Sequence, residues 1–201
     1  MKVFTFTKNG YKYNELTDEA KEKVKSDYLS DPILADLFTE DIIQDLSFLF
    51  PNSDLKVNYS LCCCQGDGLN IHGTLKLYDF ISVWEATEKE KRTIEYYIDN
   101  SENEYIFNKN NHYCYSCKFI DKKYIDDDIS EFIDCLEHYE IRDINKELIT
   151  RFFNDMIDYF QELDKKWENA GYKYFYEIDD ESIIEWAEAN DYYFDEDGAI
   201  I

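Results

Sequence analysis

The sequence has few residues that interrupt regular structure: it contains two prolines and six glycines among 201 residues. Flexible linkers are usually built from glycine, serine or proline, and no stretch rich in these residues separates two halves of the chain. A chain of this length forms one domain, or at most two small ones, and buries a sizeable core. We therefore predict a single domain over residues 1–201.

Long apolar runs are also lacking. No segment approaches the roughly 18 apolar residues of a membrane-spanning helix, and the first residues, MKVFTFTKNG, alternate apolar with polar side chains instead of forming the apolar stretch of a signal peptide. Three of the six cysteines are contiguous, at Cys62, Cys63 and Cys64. Neighbours on a strand point to opposite faces, which does not suit a disulfide framework. We expect a cytoplasmic protein with reduced thiols.

Basic residues are scarce, since 21 Lys and Arg stand against 45 Asp and Glu, and the formal net charge is −24. Such a protein is not expected to bind nucleic acid or an anionic membrane directly. Disordered chains of high net charge are poor in apolar and aromatic residues, whereas this chain is 44% hydrophobic and 17% aromatic. We therefore predict a folded acidic protein whose partner is basic.

The hydrophobic pattern predicts an α+β fold, with an antiparallel sheet of four to five strands built from hairpins and several helices packed on it. Thr17 and Thr39 are the expected N-caps of the first two helices, which are separated at Asp31-Pro32, and Gly171 is expected to end the longest helix. The predicted helices cover residues 17–29, 39–50, 87–100, 128–139, 143–169 and 180–190. The predicted strands cover residues 55–63, 69–77, 104–108, 112–120 and 192–194, the last as a short strand or an extended tail.

The clearest hairpin has its turn at Gln65, Gly66, Asp67 and Gly68. Glycines beside an aspartate suit a tight connection that needs positive φ angles. The same residues suit an anion-binding loop or one calcium ligand, but a calcium site needs further oxygen ligands at defined spacings, and none follow. We interpret the four residues as a structural turn.

Other chemical sites are incomplete in the sequence. His112, Cys114, Cys117 and Cys135 resemble part of a zinc site, but Cys114 and Cys117 would face opposite ways on a strand and only one Cys-x2-Cys pair exists. The cysteines at 62–64, with His72 as base, lack an orienting acid and an oxyanion-binding turn. We therefore predict no metal site, no catalytic residues and no cofactor.

Two segments carry a resemblance. The first is YSLCCCQGDG at residues 59–68, and the second is ANDYYFDEDG at residues 189–198. Together they resemble a group of small, acidic, uncharacterised proteins of bacteriophages and other mobile elements, which share a Tyr-Ser…Gln-Gly-Asp-Gly hairpin and an Ala-Asn…Phe…Asp-Gly ending. The two segments cover about a tenth of the chain. The resemblance implies an accessory protein of a mobile element and implies no particular chemistry.

The acidic residues are concentrated in two regions. Residues 174–201 contain ten acids and no Lys or Arg, and eight of these acids are predicted to bind a partner. We call those eight the C-terminal cluster: Asp179, Asp180, Glu181, Glu185, Glu188, Asp195, Glu196 and Asp197. The central cluster consists of Asp126, Asp127, Asp128, Glu131, Asp134 and Glu137, and its first four members are predicted to bind a partner. We rank the C-terminal cluster first because no basic residue within its segment offsets it.

A face on which these carboxylates are concentrated would approach the charge density of B-DNA, which carries about one phosphate per 1.7 Å of axis. The leading hypothesis is therefore a phage-type inhibitor of a host nucleic-acid-binding defence enzyme, of anti-CRISPR or anti-restriction type. It would act in the host bacterial cytosol by occupying the basic groove of a Cas effector or restriction enzyme. Two alternatives stay open: a small enzyme or ligand-binding protein using residues 65–68 with His72 and Cys114, and a non-inhibitory regulatory partner of a basic protein.

Overall fold

A computed structural model describes residues 9–62, 67–101, 103–108 and 122–201. These residues form an α+β fold with seven α-helices, one short 3-10 helix at Tyr13–Glu15 and one antiparallel sheet of three strands. In chain order the elements are α1 (Asp18–Leu29), α2 (Pro32–Leu49), β1 (Asp54–Ser60), β2 (Gly68–Lys76), α3 (Leu77–Val83), α4 (Glu88–Asp99), β3 (Glu104–Phe107), α5 (Lys122–His138), α6 (Lys146–Tyr176) and α7 (Asp180–Ala189). None of the helices in the described ranges is both long and apolar enough to cross a membrane.

The chain divides into two compact units. The first unit contains the described residues 9–38 and Tyr172–Ile201, and the second contains the described part of Thr39–Gly171. The division falls inside α2 and α6, so each of these helices contributes residues to both units. The prediction of a single domain is not tested by this division.

The first unit joins the two ends of the chain around one small core. Tyr11 and Phe194 exchange two backbone hydrogen bonds, of 2.8 and 2.9 Å. Gly198 has a φ of +81°, and a Cβ there would lie 2.5 Å from the carbonyl oxygen of Ala20, so this close approach requires glycine. The buried core residues are Tyr13, Leu16, Ala20, Val24, Ile183, Ala187 and Phe194.

The second unit contains the sheet, whose strand order is β1-β2-β3. Strand β2 is central, because β1 pairs with it from Asp54↔Thr74 to Ser60↔Gly68 and β3 pairs with it from Gly73↔Phe107 to Lys76↔Glu104. Gly73 has a φ of +121°, and a Cβ there would lie 2.2 Å from the carbonyl oxygen of Asp54. The pairing of β1 with β2 therefore depends on a glycine in the middle of β2.

Aromatic side chains dominate the core of the second unit. Phe160 of α6 stacks on Phe50 with ring centroids 5.1 Å apart and lies 4.5 Å from the ring of Phe107 on β3. Phe152, two turns earlier on α6, contacts Phe80 of α3 at 5.4 Å and Trp84 at 5.1 Å. Helix α6 thus packs a row of rings, spaced at helical intervals, against β3 and α3.

One buried carboxylate connects α6 to the sheet. The backbone N–H of Ile71 on β2 donates to Oδ1 of Asp164 at 2.9 Å, at a point that β3 does not reach because its pairing begins at Gly73. Asp164 is 1% exposed. Burial raises the pKa of Asp164 to about 8, although the hydrogen bond from Ile71 lowers it and the charge of Glu168 raises it further.

Several predicted helices are confirmed. Helix α1 begins after Thr17, whose hydroxyl oxygen accepts a hydrogen bond from the N–H of Ala20 at 3.3 Å. Thr87 and Glu90 form a capping box at the start of α4. The predicted helices near residues 128–139, 143–169 and 180–190 correspond to α5, α6 and α7.

Three helix boundaries were predicted wrongly. Helix α5 begins at Lys122, six residues before the predicted start at residue 128. Thr39 does not cap α2, because the helix begins at Pro32 and the carboxylate of Asp31 accepts from the N–H of Ile33 at 3.0 Å. Proline suits the first helical position, where its missing N–H is not needed. Gly171 does not end α6, which continues to Tyr176 with Gly171 buried inside it. An isolated glycine is tolerated inside a helix, so it is not a reliable sign of a helix end.

The strands also differ from the prediction. Strand β1 ends at Ser60 and Gly68 is the first residue of β2, so the connection is longer than the predicted four-residue turn. Leu77 begins α3 instead of ending a strand. Phe194 makes isolated bridges with Tyr11 and Ile200. The described residues do not confirm the fourth and fifth strands, and the predicted strand 112–120 lies outside them.

Candidate interaction surface

The C-terminal cluster begins with two carboxylates that stabilise the first unit. Asp179 caps α7, accepting from the N–H and the hydroxyl of Ser182 at 2.9 and 2.8 Å, and these hydrogen bonds lower the pKa of Asp179. Asp180 accepts from the ammonium of Lys25 at 2.9 Å and from the hydroxyl of Tyr13 at 3.0 Å. The bond from Lys25 is the main cause of the lowered pKa of Asp180.

Two further members of the C-terminal cluster have partners in the same unit. Glu188 lies 3.7 Å from the ammonium of Lys12. The carboxylate of Asp195 accepts from the N–H groups of Asp197 and Ala199 at 3.2 and 2.9 Å and so closes the final turn. Lysines from the first 25 residues therefore offset part of a cluster whose own segment has no basic residue.

The other four members of the C-terminal cluster face solvent. Glu181 and Glu185 lie one turn apart on α7, and Glu196 and Asp197 lie in the turn that Asp195 closes. None of the four forms an ion pair with the residues that the structure describes. These four carboxylates are the part of the C-terminal cluster that is available to a partner.

The central cluster lies on α5. Its exposed members are Asp126, Asp127, Glu131 and Asp134, and within the described ranges these four form no ion pair. At about 100° per residue, the four positions fall within an arc of about 140°, on the side of the helix away from its apolar stripe. That stripe is buried and consists of Ile125, Ile129, Phe132, Ile133 and Leu136.

Two members of the central cluster are bonded within the second unit. Asp128 is half-buried and accepts from the hydroxyl of Tyr105 on β3 at 2.8 Å. Burial, together with this bond, raises the pKa of Tyr105 above its ordinary value. Glu137 accepts from the ammonium of Lys146 at 2.8 Å. Sequence reasoning missed these partners, because nothing in the spacing of Asp128 and Tyr105 indicates that they meet.

The structure also places part of the predicted turn and of the rejected chemical sites. Asp67 and Gly68 are described, and the hydroxyl of Ser60 donates to the carboxylate of Asp67 at 3.4 Å. The ring of His72 is buried and its Nε2 lies 2.6 Å from the amide nitrogen of Asn58. Gln65, Gly66, Cys63, Cys64, His112, Cys114 and Cys117 lie outside the described residues.

The described cysteines and the other possible metal ligands do not come together in one site. Cys62 is exposed and Cys135 is half-buried, and both are free thiols. In the described part of the chain, no group of three or more His, Cys, Asp or Glu side chains is arranged to hold a metal ion. The dispersed acids therefore offer a charged surface and no coordination site there.

No protein-family model matches the chain, and neither a curated protein nor a solved structure is detectably similar to it.

Proposed function

We propose that the protein is an acidic inhibitor, carried by a phage or other mobile element, of a host defence enzyme that binds nucleic acid. It acts in the host bacterial cytosol by placing carboxylates in the basic groove of a Cas effector or restriction enzyme. It is not itself an enzyme. The proposal rests on the net charge of −24 and on the exposed carboxylates of α5 and of the C-terminal cluster.

The observation that carries the proposal is the acidic face of α5. Asp126 and Asp134 are eight residues apart, so at about 1.5 Å per residue the face is about 12 Å long and holds four carboxylates. Three intervals over this length give a mean spacing of about 4 Å, comparable to the phosphate spacing of about 3.4 Å along one DNA strand. The charges on this helix are therefore spaced like the phosphates of nucleic acid, which is the natural ligand of the partner's basic groove.

The binding energy would come from the same source as in DNA binding. A basic groove holds condensed or bound anions that are released when the carboxylates enter, so affinity falls as salt is added. Attraction over distance acts mainly on the association rate. Acids farther than the Debye length of about 8 Å from the contact contribute little at physiological salt.

The test uses three variants of four substitutions each. The central variant is D126N/D127N/E131Q/D134N, and the C-terminal variant is E181Q/E185Q/E196Q/D197N, so both spare the carboxylates bonded within the fold. The matched control is D18N/E19Q/E22Q/D27N in α1, where three lysines nearly balance the four acids. The measurement is displacement of fluorescent DNA or guide RNA from purified Cas effectors and restriction enzymes, followed by anisotropy at several salt concentrations.

The wild-type protein is expected to displace the nucleic acid from at least one enzyme, and the control variant should do so equally well. The central variant should lose affinity through a slower association rate and show a flatter dependence on salt. Binding of a partner that is insensitive both to salt and to the central and C-terminal substitutions would overturn nucleic-acid mimicry. Such a result would favour recognition through shape or apolar contact.

A further inference from the structure

A basic groove interrupts the acidic surface of the second unit. Its volume is about 600 Å³, and it lies between α4 and the connection from α5 to α6. It is lined by Glu88, Lys89, Arg92, Thr93, Tyr96, Tyr97 and Arg142. Three cationic side chains thus share one groove with a single carboxylate in a chain whose acids outnumber its bases by more than two to one.

The arginines of this groove differ from the remaining arginine of the chain. The chain has three arginines. Arg151 makes contacts within the fold: it donates a hydrogen bond to the carboxylate of Glu90 at 2.9 Å, and its guanidinium lies 5.0 Å from the ring centroid of Trp84. Arg92 and Arg142 are exposed, and neither forms an ion pair with any residue in the described ranges. Glu88 is four residues before Arg92, the spacing of a helical ion pair, yet the two side chains are not paired.

The groove is held by ordered structure on both sides. The hydroxyl of Tyr97, a residue only 4% exposed, accepts from the N–H of Asn145 at 2.9 Å and lies 3.5 Å from the carbonyl oxygen of Asp143. Asp143 has a φ of +58°, and Glu140 has a φ of +57°. The buried tyrosine therefore fixes the backbone of the connection that carries Arg142 beside α4.

We propose that this groove binds a small phosphate-bearing ligand with a planar ring, a nucleoside mono- or diphosphate in chemical class. The guanidinium groups of Arg92 and Arg142 hold the phosphate oxygens, since a guanidinium matches a phosphate in two-point geometry, and Lys89 adds a point charge. The ring of Tyr96 is 52% exposed at the groove and provides a face on which the planar ring stacks. The hydroxyl of Thr93 donates to the carbonyl oxygen of Lys89 at 2.8 Å, which leaves its oxygen to accept a hydrogen bond from a hydroxyl of the same ligand.

The electrostatics favour a small ligand over a polymer. Charges farther than about 8 Å are screened at physiological salt, so the three cations of the groove, opposed by the carboxylate of Glu88, decide whether one phosphate group binds. A nucleic acid strand would extend beyond the groove onto the acidic surface, where repulsion opposes it. The groove therefore admits an anion that fits inside it. This inference concerns a site separate from the acidic face of α5 and does not depend on the inhibitor proposal.

The experiment is isothermal titration calorimetry of the full chain with ADP, AMP, inorganic phosphate and adenosine. We expect saturable binding of ADP or AMP with a dissociation constant below about 1 mM, weaker binding of phosphate, and the weakest binding of adenosine. Arg92→Gln and Arg142→Gln should each weaken nucleotide binding at least tenfold. Tyr96→Ala should weaken nucleotide binding and leave phosphate binding unchanged, because it removes only the stacking face.

Two further variants serve as controls. Lys91→Gln removes a positive charge from the same helix outside the groove and should change affinity less than twofold. Glu88→Gln removes the groove's carboxylate and should tighten binding. Thermal unfolding followed by circular dichroism establishes that each variant is folded.

The proposal is wrong if the wild-type protein binds neither nucleotide nor phosphate, or if Arg92→Gln and Arg142→Gln bind ADP as the wild type does. It is also wrong if these two substitutions alter only the oligomeric state measured by light scattering. That last result would assign the arginines to carboxylates of a second copy of the chain. None of these three results bears on the DNA-displacement experiment, so the two proposals fail separately.

Discussion

In the C-terminal cluster, four of the eight predicted carboxylates have partners within their own unit: Asp179, Asp180, Glu188 and Asp195. In the central cluster, Asp128 and Glu137 have described partners, and the other four acids share one exposed helix face. Counting charges along the chain ranks the C-terminal cluster first, since its segment contains no Lys or Arg. Lys12 and Lys25 come from elsewhere in the sequence and reduce that advantage. The number of acids in a segment therefore differs from the number available to a partner.

The comparison extends to Asp164, a carboxylate that is fully removed from solvent. Its ionisation should have the largest effect on the free energy of unfolding. Because its pKa is raised from about 4 to about 8 by burial, its stabilising contribution is complete below about pH 4. The contribution is lost as the pH rises toward 8, since the unfolded chain releases the proton first. One pKa unit corresponds to about 1.4 kcal/mol, so the loss has an upper limit of about 6 kcal/mol.

The check is urea unfolding of the wild type and of Asp164→Asn between pH 5 and pH 8. An amide keeps an acceptor for the N–H of Ile71 but does not ionise, so the variant should gain stability relative to the wild type as the pH rises. Parallel pH profiles for the two proteins would show that Asp164 is ionised in the fold.

Gly198→Ala should have the next largest effect, because it disrupts the turn that carries the last acids of the C-terminal cluster. A side chain at φ +81° with its Cβ 2.5 Å from the oxygen of Ala20 is expected to cost about 1–3 kcal/mol in the free energy of unfolding. The comparison is Gly10→Ala, whose Cβ would lie 3.1 Å from the Cβ of Tyr193 and should cost less. Equal costs would mean that the final turn can shift without strain.

Asp128→Ala and Asp127→Ala compare, on the same helix, the effect on stability of losing a hydrogen-bonded acid with that of losing an exposed one. Loss of Asp128 leaves the partly buried hydroxyl of Tyr105 without its acceptor, for a cost of about 1 kcal/mol. Asp127→Ala should change the free energy of unfolding by less than about 0.5 kcal/mol. Chemical denaturation of both variants measures the difference, and an equal response would contradict the assignment of Asp128 to the fold.

The smallest effects are expected from the exposed acids. Each substitution in D126N/D127N/E131Q/D134N should change stability by no more than about 0.5 kcal/mol, and the sum should be stabilising at low salt because repulsion between like charges is relieved. The gain should disappear near 1 M salt, where the Debye length is about 3 Å. A clear loss of stability at any salt concentration would show that these carboxylates have a structural role.

Local features of the fold could be predicted where all the residues that determine them lie in one short segment. The Thr17 cap, the α4 start at Thr87 and the apolar face of α6 are each set by residues within one or two turns. The continuation of α6 past Gly171 and the start of α2 at Pro32 were missed because glycine occurs both at helix ends and inside helices, and proline occurs both at breaks and at the first helical position. Only the neighbouring elements select between them.

The sequence by itself determined the net charge, the α+β class and the presence of two acidic segments, because composition and periodicity are local quantities. Tertiary structure decided which carboxylates remain free. Lys25 reaches Asp180 across 155 residues of sequence, Tyr105 reaches Asp128 from a strand, and Arg92 and Arg142 line one groove from different elements. Pairing energy depends on distances of a few ångströms between side chains, and folding alone sets those distances for residues far apart in the chain.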